Sequence, residues 1–108
     1  MNTKIANHLI SKEISNFLVD RKSRRLSPRT IEYYHDLLIE FAKRMEGLNI
    51  TEIEQLTAYV LREYLAELHE THKPGGVHEY WRTIKTFLGW FELETEIPTE
   101  LFRAVAEV

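Results

Sequence analysis

The chain has 108 residues, 44% of them hydrophobic and 29% charged, which suits one domain of ordinary size with its own apolar core. No apolar run is long enough to span a bilayer and the amino terminus lacks the basic-then-apolar pattern of a secretory signal. Cysteine is absent, which removes disulfide frameworks and cysteine zinc sites. The expectation is a single domain over residues 1–108, cytoplasmic, with no membrane contact and no cofactor. The net charge of −3 does not by itself favour a polyanionic partner, but the charge is unevenly spread. Residues 1–30 hold seven Lys or Arg against Glu13 and Asp20, a balance of +5, which leaves −8 for the remainder. One face toward polyanions and another kept acidic would produce that asymmetry, as would an ordinary segregated surface.

Apolar residues recur at three- and four-residue spacing almost throughout, and no stretch alternates as a half-buried strand does. The first predicted helix carries Ile10, Ile14, Phe17 and Leu18 and runs into the basic segment Arg21-Lys22-Ser23-Arg24-Arg25, read as its end and a loop. Ser27-Pro28 opens the second, because Ser can cap the free amides of a helix start and Pro fits its first position. Its stripe is Ile31, Tyr34, Leu38, Phe41 and Met45, widened by Leu37, and Gly47 stands where a left-handed residue would stop it. Residues 48–56 form a connector in which Thr51 and Glu54 have capping-box spacing. Thr57 caps a third helix carrying Leu61, Tyr64, Leu65 and Leu68. Pro74-Gly75-Gly76 predicts a flexible loop, followed from Val77 to Glu94 by a fourth helix with Val77, Tyr80, Trp81, Ile84, Phe87, Leu88 and Phe91 on its apolar side. Beyond Pro98, residues 99–108 read as one more short helix or a linker. The expected fold is all-α, a compact orthogonal bundle of four to five helices.

Taken in order, Ser27, Thr30, Tyr34, Leu38 and Phe41 resemble the start of the second helix in the core-binding domain of phage-integrase-type tyrosine recombinases. Thr57, Leu61, Tyr64-Leu65 and Leu68 resemble that family's third helix, and Ile84 to Trp90 resembles the Arg/Lys-x-Phe-Phe-x-Trp signature of its fourth. The order and spacing carry the resemblance, which covers roughly Ile10 to Val105. Thr95 and Glu100-Leu101 stand where the family commonly has Gly and then Asn-Pro. The resemblance implies a domain that grips duplex DNA and contains no catalytic residues, since the family's Arg, His and Tyr set lies in a separate downstream domain of the parent chain. None of the five tyrosines is expected to be a nucleophile, and no His-x-x-Arg occurs.

The candidate DNA-binding residues fall into four groups. Arg24 and Arg25 belong to the basic loop, where each phosphate contact would add about 0.9 to the salt slope of binding. Ser27, Arg29, Thr30 and Tyr33 stand at the start of the second helix, whose free amides and dipole favour a phosphate; Ser27 and Thr30 serve equally well as caps alone. Lys73 is placed beside the Gly-rich segment, as a phosphate contact or as part of a connector. His78, Arg82, Lys85 and Gly89 draw one polar line along the fourth helix, with Thr86 beside it, and the resemblance puts a DNA-contacting cation at Lys85. A solvated face would look the same. Gly89 costs about 0.5–1 kcal/mol relative to Ala in a helix, for which close approach of a DNA backbone or a neighbouring helix would be a reason. His69 and His72 lack further ligands and read as chance, not as a metal site. The expected partners are double-stranded DNA, the catalytic domain of the same parent chain and neighbouring recombinase protomers on DNA. The competing expectation is a helical protein–protein interaction module.

Overall fold

The computed structural model describes residues 7–101 and 105. Among these, four α-helices and one short 3-10 turn account for the regular structure: α1 (Ile10–Ser23), α2 (Pro28–Gly47), the 3-10 turn Ile53–Gln55, α3 (Ala58–Thr71) and α4 (Pro74–Thr95). The fold is all-α, and the one strand-like feature among the described residues is an isolated bridge between Leu9 and Glu52.

The starts of α2 and α3 are set by capping residues readable in the sequence. At the start of α2 the Ser27 hydroxyl accepts from the Thr30 amide at 3.2 Å, with Pro28 in the first turn. Thr57 accepts from the Val60 amide at 3.1 Å to cap α3. The connector does contain a capping box, one residue later than the Thr51 and Glu54 spacing predicts: Glu52 and Gln55 form it, and Gln55 Oε1 accepts from the Thr51 amide at 2.9 Å and from the Glu52 amide at 3.0 Å. Gly47 is the last helical residue of α2, and the left-handed position falls instead on Asn49, at φ 63°. Asn tolerates that conformation better than most residues with a Cβ.

The larger departure is at residues 74–76, expected to be a loop. Pro74 opens α4, and Gly75 and Gly76 lie within its first turn. Proline at the first turn of a helix loses no bond that the helix could have made, so it starts helices as readily as it ends them. At the far end α4 stops at Thr95, with Glu96 in the left-handed region at φ 59°. The chain then folds back: the Glu92 carboxylate accepts from the Thr99 amide at 2.6 Å, the Glu100 amide at 3.0 Å and the Thr99 hydroxyl. Leu101 is helical and buried, and the Val105 amide donates to its carbonyl at 3.2 Å. The rest of the expected final helix or linker lies outside the described residues.

The core is the sum of the four apolar stripes. Phe17, Leu38, Phe41, Met45, Val77, Phe87, Leu88 and Phe91 have no exposed surface. Phe17 of α1 is its hinge point, meeting Tyr34 of α2 and Phe87 and Trp90 of α4 edge-on at ring separations of 5.5–5.6 Å. Each such pair adds about 0.5–1.5 kcal/mol to the area it buries. Phe41 meets Tyr64 of α3 in the same way at 5.4 Å. Outside the core, Arg44 of α2 makes a two-pronged ion pair with Glu67 of α3, at 2.8 and 2.5 Å. On the surface, α2 and α4 pack against each other, and polar residues of both line a cleft between them.

Candidate nucleic-acid interface

Between α2 and α4 runs an open cleft of about 160 Å³ lined by Thr30, Tyr33, Tyr34, Glu79, Arg82, Thr83 and Thr86. Four of the sequence-predicted residues, Thr30, Tyr33, Arg82 and Thr86, are thus brought together from two helices. Tyr34, which packs edge-on against Phe17, lies among the lining residues, and the stripe that buries one side of each helix fixes which residues face the cleft.

The cleft has an internal order. The Tyr33 hydroxyl donates to Glu79 Oε1, joining the two helices across the opening. Burial, then the hydrogen bond to Glu79 and its negative charge, push the Tyr33 phenol up to about 12, so it stays protonated and donating at neutral pH. Arg82 Nη1 lies 4.0 Å from Glu79 Oε2, and both side chains are about half exposed. The Thr86 hydroxyl is turned back to the Arg82 carbonyl at 2.9 Å. Ser27 and Thr30 share a hydroxyl contact at 3.0 Å at the helix start.

The other predicted residues surround this cleft or lie apart from it. Arg29 is exposed and, four residues before Tyr33, stands one turn earlier on the same face of α2. Lys85 is half-buried and follows Arg82 by three residues on α4; His78, also half-buried, precedes it by four. Arg25 is exposed and left-handed, at φ 62°, in the link just before α2. Arg24 is the C-cap of α1 and its Nε donates to Asp20 at 2.9 Å, yet its side chain remains 60% exposed. Lys73 is the extended residue before α4 and does not line the cleft. Gly89 has open space around it: a Cβ there would meet no atom within 4 Å, so no neighbouring helix demands a glycine.

Two residues of the basic and polar pattern have structural duties. Arg21 is half-buried, lies over the Phe17 ring at 4.8 Å and pairs with Asp20 at 3.1 Å. His72 stacks edge-on against Tyr80 at 5.2 Å, and among the described residues no group of three His, Asp or Glu gathers as a metal site would require. Glu79 and Thr83 are cleft residues that the sequence reading passed over. The signal was present for Glu79, which lies three residues before Arg82 and so on an adjoining strip of the helix. No helix among the described residues is long and apolar enough to cross a membrane.

A four-helix domain whose α2 and α4 present a polar, cation-flanked cleft is the class that fold and surface define. The family model described as phage integrase, N-terminal SAM-like domain, matches residues 14–88, and the chain belongs to that family. This is the amino-terminal domain of integrases and not their catalytic domain. Among solved structures, the N-terminal domain of a phage integrase/site-specific recombinase from Haloarcula marismortui is similar, with a TM-score of 0.86 at 18% identity, over 96% of this chain and 100% of that one. The N-terminal domain of the prophage pi2 protein 01 (integrase) from Lactococcus lactis is also similar, with a TM-score of 0.77 at 17% identity, over 96% and 97% of the two chains. At these identities the likeness is one of fold. A comparison with curated protein sequences finds no match.

Proposed function

We propose that this chain is a non-catalytic domain that binds duplex DNA and positions a recombination site for a catalytic domain of the same parent protein, acting with neighbouring protomers during integration or site-specific recombination. The observation that carries the reading is the α2–α4 cleft, in which Thr30, Tyr33, Arg82 and Thr86 converge, with Arg29 one turn before Tyr33 and Lys85 close after Arg82. Membership of an integrase family supports it. A major groove about 12 Å wide admits a helix edge, so the cations beside the cleft would meet phosphates and its polar side chains base edges. Arg24 and Arg25, exposed just before α2, would add phosphate contacts.

Affinity for an arbitrary duplex is expected to be weak and dominated by phosphate contacts. Titrating the chain with duplex at two salt concentrations tests this. Each neutralised phosphate contributes about 0.9 to the slope of log affinity against log salt, so binding falls steeply as salt rises. Arg29→Glu and Lys85→Glu each weaken binding and flatten the slope. Salt-independent binding, or none at low salt, contradicts the proposal.

A second reading has one observation in its favour. Leu93, near the carboxyl end of α4, is 85% exposed and borders an open apolar hollow with Gly89 and Pro98, a surface better suited to a protein than to DNA. The hollow shares no lining residue with the α2–α4 cleft, though Gly89 borders it and is also a candidate DNA contact.

A further inference from the structure

Glu79 is out of place in a surface built to hold phosphates. It is the one carboxylate among the cleft residues and stands between Tyr33 and Arg82, where a negative charge repels a DNA backbone. It is also held ready: Tyr33 occupies Oε1, and Oε2 lies 4.0 Å from Arg82, too far for a closed hydrogen bond. A carboxylate has about four acceptor positions, so one bond from Tyr33 leaves capacity on Glu79 next to a guanidinium that has five donors.

In the major groove, a carboxylate suits the amino group of cytosine, while a guanidinium suits the O6 and N7 of guanine. Adenine also offers an amino group, but beside its own N7, which repels a carboxylate. In a cytosine–guanine pair the cytosine N4 and guanine O6 are about 3 Å apart, a hydrogen-bond length. Acceptor and donor separated by 4.0 Å on adjoining strips of α4 match that pair of edges.

We propose that Glu79 and Arg82 act together as a reader of one cytosine–guanine base pair, Glu79 accepting from the cytosine amino group and Arg82 donating to guanine. The same Glu79 charge discourages unselective backbone binding. This inference rests on the duplex-DNA reading above and adds to it a sequence preference and the residues responsible.

The test is selection from a pool of randomised duplexes by the unaltered chain, Glu79→Gln and Glu79→Ala, each first checked by thermal unfolding to be folded at the selection temperature, since Glu79→Ala gives up the hydrogen bond from Tyr33. The unaltered chain is expected to recover a motif with cytosine–guanine at one position. Glu79→Ala loses that preference about fivefold or more and binds unselected duplex more tightly than before. Glu79→Gln, whose amide both donates and accepts, shifts the position toward adenine–thymine. Unchanged preference in both variants overturns the inference, as does salt-dependent binding by the unaltered chain without any recovered motif, which leaves the duplex reading standing. No binding of any duplex at low salt removes both.

Discussion

His8 and Glu54 show how single side chains hold the ends of this fold. The His8 amide donates to Glu54 Oε1 at 3.0 Å, its ring Nδ1 lies 2.5 Å from Oε2, and the His8 carbonyl accepts from the Ile53 amide at 2.8 Å. The His8 ring also packs edge-on against Phe91 of α4 at 5.1 Å. Burial works against the Glu54 charge, but the hydrogen bonds from His8 outweigh it and hold the carboxyl below its ordinary 4.5. A carboxyl with a depressed folded-state value stabilises the fold above that ordinary value and loses the contribution as pH falls through the lowered one. Glu54→Gln is therefore expected to lower the melting temperature by a few degrees at pH 7, with the gap closing toward pH 3. A gap that does not change with pH would mean that the charge has no part in it. Residue type alone gave no sign of this pair, because its members are 46 positions apart in the chain. Arg21 is the reverse case. Its charge was obvious, but its place over the Phe17 ring depends on the turn of α1 that brings the two together.

At the scale of helices, the apolar stripes were legible because burial imposes their period. Ile10, Ile14 and Phe17, then Leu61, Tyr64, Leu65 and Leu68, are buried where spacing puts them. The start of α4 was not legible, since Pro and Gly serve in loops and in first turns alike and only the neighbours decide. The cleft was half legible: a line of residues along α4 can be drawn from sequence, but the partner helix facing Arg82 cannot. Gly89 makes a test at this scale. With nothing within 4 Å of a Cβ there, Gly89→Ala is expected to stabilise the chain by about 0.5–1 kcal/mol in denaturant unfolding. If α4 lies against a DNA backbone at that point, the same substitution weakens duplex binding. A variant that is more stable and binds equally well would take Gly89 out of the interface.

For the whole molecule, the separation of duties is the main result. One set of faces, centred on Phe17, Phe41 and Phe87, makes the bundle; Arg44 and Glu67 tie α3 to α2 away from the cleft; and the outward residues of α2 and α4 line the cleft that we propose meets DNA. Chain-wide charge concealed this arrangement, because a net −3 averages a basic amino-terminal third with an acidic remainder. The measurement that bears most directly on it is a map of backbone amide chemical shifts during titration with a short duplex at low salt. Changes concentrated in residues 21–33 and 78–89, with α3 unaffected, are the predicted result. Changes centred on α3 or on the Leu93 end of α4, with the cleft silent, would contradict the assignment of DNA to the α2–α4 surface.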